Sequence, residues 1–132
     1  MTGQGPSLGD AGYRLMPFLR IAQHLRSGDA AAFIREALQR SGYSAARPSF
    51  GAQEVREMLT AHPPLLEAWL SYSDGKESRD GWYVLRDGEI GQVSHPASQR
   101  QFGSIEEAVA EFILRELDHY AVAAAAPARV RT

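Results

Sequence analysis

Two alternating runs, Trp82–Arg86 and Glu89–Ser94, flank the pair Asp87-Gly88. That arrangement is the strongest short-range signal for an antiparallel hairpin, and it predicts a two-residue type I′ turn. A lone hairpin is not stable in water, so this one must lie against an apolar partner. The chain supplies one at once. Gly103 leads into Ser104, and Ser104 with Glu107 has the spacing of a capping box. Beyond it Ile105, Ala108, Val109, Phe112, Ile113, Leu117 and Tyr120 share one helical face, with the acids largely on the other. The simplest packing lays this helix over one face of the hairpin. A short third strand fits around Arg100–Phe102, and His95-Pro96 reads as the end of the second strand.

Upstream the periodicity is helical. Leu15, Leu19, Ala22 and Leu25 recur every three to four residues until Ser27-Gly28 interrupts them. Asp29 is a good N-cap for a helix over Ala30–Ser41, whose buried stripe is predicted as Phe33, Ile34, Ala37 and Leu38. Gly42 follows in the left-handed position, with Tyr43 folding back on the helix. Ser49 opens a third helix through Val55, Met58 and Leu59, and Pro63 ends it. Pro64 then begins a fourth carrying Leu65, Trp69 and Leu70, although these two short helices equally fit one bent segment. Helices first, then two or three strands and a covering helix, make a single α+β domain over residues 13–120. Residues 1–12, with four glycines and a proline, read as a disordered lead-in. In the tail 121–132 an Ala-rich stretch extends the last helix until Pro127 stops it, and the basic end is expected to be disordered.

Composition narrows the function by exclusion. At 132 residues the chain is long enough for its own core without a disulfide or a metal. It has no cysteine, which removes thiolate metal sites and cysteine nucleophiles. No run approaches the ~18 apolar residues of a membrane span, and the start lacks the basic and apolar regions of a signal peptide, so a cytoplasmic protein is expected. His24, His62, His95 and His119 are too far apart in sequence to form a local metal-ligand pair. No G-x-S-x-G elbow or strand-to-helix glycine loop is present. Glu106-Glu107 are adjacent on a helix start, where they point apart and favour the helix dipole rather than acid–base work. No cofactor, metal or catalytic residue is therefore assigned, and the chain reads as a non-enzyme.

Charge is unevenly divided. Residues 1–66 hold seven arginines against five acids, whereas residues 67–132 hold eleven acids against seven bases. No dense basic stripe exists for nucleic acid. An acidic surface suits a basic protein partner instead. The segment from Trp69 to Tyr83 is rich in aromatic and charged groups. Trp69 and one of Trp82 and Tyr83 are expected in the core, since alternation sends that pair to opposite faces, and the outward one joins Lys76 and Arg79 at a surface.

Gly81-Trp82-Tyr83-Val84, the charged hairpin, Phe102-Gly-Ser-Ile-Glu-Glu-Ala108 and Phe112-Ile-Leu-Arg-Glu-Leu117 together resemble small bacterial immunity proteins over Leu65–Tyr120. The resemblance implies a compact α+β inhibitor that silences a toxin by binding it. On this reading the partner is a basic toxin domain, met by Asp74, Lys76, Glu77, Arg79, Asp80, Glu107, Glu111 and Asp118, and the chain itself is a monomer or homodimer. Two other readings fit the residues. One is a small-molecule sensor with an aromatic pocket around Trp69, Trp82 and Tyr83; the other is a self-associating protein with its seam on the Leu15–Leu38 helices.

Overall fold

The computed structural model describes residues 15–24, 30–75 and 81–130. The predicted lead-in, the Asp29 cap, the 76–80 segment and the last two residues lie outside them. Helix α1 is described over residues 15–19 and tightens into a 3-10 turn, Arg20–His24. Helices α2 (Ala30–Ser41), α3 (Tyr43–Ala46), α4 (Ala52–Ala61) and α5 (Pro63–Asp74) follow. Strands β1 (Trp82–Val84), β2 (Glu89–Gln92) and β3 (His95–Gln101) come next, then the long helix α6 (Ile105–Val130). The fold is α+β, and none of its described helices is long and apolar enough to cross a membrane.

Local chemistry sets most boundaries. Gly42 takes φ 75°, a left-handed conformation that ends α2 and turns Tyr43 into the core. Ile34 and Leu38, one turn apart, are the buried residues of the predicted α2 stripe; Phe33, at its margin, is 36% exposed. Ser49 does not open α4. Its hydroxyl closes the Arg47–Ser49 3-10 turn by bonding the Ala46 carbonyl at 2.6 Å, and Glu54 caps α4 by accepting the Gly51 N–H at 2.8 Å. Helices α4 and α5 are separate, because a residue before proline is pushed out of the helical region and His62 sits at ψ 78°. Helix α6 runs on through Pro127 to Val130. Proline forfeits one backbone bond there, and the Ala-rich turns before it have the highest helix propensity.

The strands form an antiparallel sheet in the order β1-β2-β3. Its first turn differs from the expected type I′. The Gly88 N–H donates to the Leu85 carbonyl and the Leu85 N–H to the Glu89 carbonyl, so the loop has three residues, Arg86 to Gly88, with Gly88 at φ 95°. A side chain at Gly88 would also press on the Phe102 carbonyl at 3.0 Å. His95 begins β3 rather than ending β2, and β3 is longer than Arg100–Phe102 suggested because it is bulged. Between the Ile90–Arg100 and Gln92–His95 pairs, β2 advances two residues and β3 five. Ser98 bridges the gap, accepting the Gln92 N–H at 2.7 Å and donating to the His95 carbonyl at 2.6 Å. Among the described residues β3 is an edge strand, and the bulge and Arg100 work against its pairing with another strand.

Helix α6 is the axis of the molecule, packing on α2, α4, α5, β1 and β2. Ala108, Val109, Ala110, Phe112, Ile113, Leu114, Leu117 and Tyr120 are all buried, which covers far more than one helical stripe. The remaining face is narrow, and it is there that the expected acidic surface must be sought.

Candidate functional site

The acids expected to face solvent divide into three groups. Glu116 is fully buried. Its carboxylate accepts hydrogen bonds from the Tyr72 hydroxyl and, at 2.7 Å, from the Trp82 backbone N–H. On the same side of β1, Ser73 Oγ accepts the Val84 N–H at 2.9 Å and donates to the Val84 carbonyl at 2.8 Å. These side chains of α5 and α6 thus supply the bonds that a fourth strand would make. Burial, and then the Glu116 carboxylate, push the Tyr72 hydroxyl well above the ordinary tyrosine value. Glu116 is an exception to the expectation that the acids of this helix lie largely on the face opposite its apolar stripe. Its position held the signal: it lies four residues after Phe112 and four before Tyr120, inside the apolar stripe.

Asp118 belongs to a second cluster. It accepts from the Tyr43 hydroxyl at 2.6 Å and from Arg47 Nε at 2.9 Å, which ties α6 to α3. Burial first, and then the bond to Asp118, raise the Tyr43 hydroxyl above its usual range. Phe18 and Phe50 pack on the Tyr43 ring, and the Arg47 guanidinium lies 5.5 Å above Phe50.

Glu107 and Glu111 form the third. They stand one turn apart on α6 and line a groove of about 140 Å³ with Ala52, Gln53, Arg56, Phe102 and Ala110. Ala52, Ala110 and Phe102 contribute apolar lining; the two glutamates, Gln53 and Arg56 contribute polar lining. The expected capping box is present on one side, since Ser104 Oγ accepts the Glu107 N–H at 3.2 Å. The Glu107 carboxylate also reaches across the groove to Arg56, at 3.5 Å. Glu111 is held by Arg115 at 2.7 Å, and Arg115 in turn lies 4.9 Å above the Trp82 ring.

The structure therefore brings Glu107 and Glu111 into one site, keeps Asp118 in its own cluster two turns along, and gives all three an arginine neighbour. Asp74, at the end of α5, is also held internally. Arg86 bonds it at 2.9 Å and forks onto Glu67 at 2.9 and 3.2 Å. Lys76, Glu77, Arg79 and Asp80 lie outside the described residues.

Of the aromatic residues, Trp69 is core. It is fully buried, its indole N–H donates to the Leu19 carbonyl at 2.9 Å, and its ring meets Tyr72 and Phe112 edge-on. Trp82 and Tyr83 are both half-buried. Tyr83 covers Gly91, and its hydroxyl donates to Glu89 at 2.7 Å. Among the described residues no three His, Cys, Asp or Glu side chains stand close enough to hold a metal ion. Comparison of the chain with known protein families, curated proteins and solved structures found no match.

Proposed function

We propose that this chain is a cytoplasmic, non-enzymatic protein-binding module of the immunity type, which occludes a basic toxin domain through the groove between α4 and α6. The observation that carries the reading is the groove itself. Two glutamates one turn apart line it together with the apolar groups of Ala52, Ala110 and Phe102, and protein interfaces combine apolar and polar groups in this way. The arginines on those glutamates do not block such a role. A partly exposed ion pair contributes only about 0–1 kcal/mol, so a partner cation can take the place of Arg56 on Glu107 at little cost. Complementary charge sets the orientation of approach, and the bulk of the chain then covers the partner's substrate-binding residues. At about 140 Å³ this groove is smaller than the ~300 Å³ and more that small-molecule pockets typically measure.

The test is affinity capture from a lysate of the source organism with the immobilised chain, washed at low and then high salt. A basic protein retained at low salt and released at high salt supports the reading. Recovery of the chain alone contradicts it.

A further inference from the structure

We infer that the turn Arg86 to Gly88 guards a covalent modification site: it holds two aspartyl-glycine pairs, Asp87-Gly88 and Asp74-Gly75, back from conversion to isoaspartate. The chemistry is intrinsic to such a pair. The glycine nitrogen attacks Cγ of the aspartic acid, a C–N bond forms, and the amide proton leaves with the carboxyl hydroxyl as water. Hydrolysis of the succinimide at the former main-chain carbonyl takes up a water and routes the backbone through Cγ. Glycine favours the step because no Cβ hinders the approach of its nitrogen.

The step needs the glycine N–H and the carboxyl group released together, and the fold engages both at each pair. Asp87 is exposed, yet its Oδ1 accepts the Glu89 N–H at 3.0 Å while the Gly88 N–H donates to the Leu85 carbonyl at 3.0 Å. Both neighbouring carbonyls are held as well. Gln101 Nε2 donates to the Asp87 carbonyl at 2.7 Å, and the Phe102 N–H donates to the Gly88 carbonyl at 3.0 Å. At the end of α5 the Gly75 N–H donates to the Ser71 carbonyl at 3.0 Å. Arg86 holds Asp74 Oδ2 from Nε at 3.0 Å and from Nη2 at 2.9 Å. Arg86 therefore belongs to the turn of the first pair and restrains the carboxylate of the second. An isoaspartate at 87 adds a carbon to the backbone of a three-residue loop closed by the Leu85–Glu89 and Leu85–Gly88 bonds. That lesion displaces Arg86 and removes the restraint on Asp74, so the two sites react in that order.

The test incubates the full chain near neutral pH, in buffer and in guanidinium chloride, and quantifies isoaspartate at positions 74 and 87 by peptide mapping with mass spectrometry. Formation should be at least about tenfold slower in the folded chain at both positions, because reaction waits for the locally opened fraction. Arg86→Met should quicken formation at Asp74 about threefold, the scale of an exposed ion pair. A thermal melt shows that this variant is folded. Equal rates at Asp87 in the folded and denatured chain would overturn the guard. Absence of isoaspartate at 87 in the denatured chain would overturn the site itself. An unchanged rate at Asp74 in the folded Arg86→Met variant would overturn the link between the two pairs.

Discussion

Glu116 is the residue on which the sheet most depends. A buried carboxylate is tolerable only where its acceptor capacity is used, and here it serves both a hydroxyl and a strand N–H. Glu116→Leu keeps the volume and removes the acceptors, leaving the Trp82 N–H and the Tyr72 hydroxyl to find other partners. It should cost about 3 kcal/mol in urea unfolding, and Glu116→Gln, which keeps an acceptor, clearly less. Equal stability of the leucine variant and the parent would refute the role. The tyrosines give a pH signature. Tyr43 and Tyr72 titrate higher when folded than unfolded, so their contribution is complete below about pH 10, where the unfolded chain begins to ionise. Above it the unfolded state binds fewer protons than the native one, and stability falls by about 1.4 kcal/mol per pH unit for each tyrosine. Denaturant midpoints from pH 8 to 12 check this. The loss should be steep in the parent and flatter in a Tyr43→Phe, Tyr72→Phe variant; a flat parent profile would contradict the account.

Among the elements, β1 shows how a three-residue strand holds its place. Its inner edge pairs with β2, and its outer edge is closed by Ser73 and Glu116. Ser73→Ala should therefore destabilise by about 1–2 kcal/mol although it deletes one oxygen, and amide exchange at Val84 should quicken. Unchanged protection at Val84 would show that water replaces the serine. The elements were legible where local rules act alone: Gly42 ends α2, Ser104 caps α6, and Asp87-Gly88 marks a turn. They were misread where a distant contact decides. The three-residue turn comes with a bond from the distant Phe102 N–H to the Gly88 carbonyl at 3.0 Å, and the length of β3 depends on a bulge stitched by Ser98. Glu116 departs from the acidic face expected of α6, and only the packing of α5 and β1 around α6 reveals its role. The Glu107–Glu111 half of the candidate site was legible as acids one turn apart. Its opposite wall on α4 was not, since Arg56 lies some fifty residues away in sequence.

For the whole molecule, folding joins part of the uneven charge of the two halves. Arginines of the first half, Arg47 and Arg56, meet acids of the second, Asp118 and Glu107. The acidic face is consequently a strip already neutralised in part by the protein itself. Coupling across the groove should be small: a double-mutant cycle on Arg56 and Glu107 should give about 0.5 kcal/mol, falling with salt. A value of several kcal/mol would mean that Arg56 is fixed in place and unable to yield to a partner. Docking at this strip is the central claim, and one comparison tests it most directly. Parent chain and a Glu107→Lys, Glu111→Lys variant serve as baits in parallel, with captured proteins quantified and both baits shown to be folded. The account predicts that a basic partner held by the parent is lost from the variant. Equal recovery on both baits, with the same salt dependence, would contradict it.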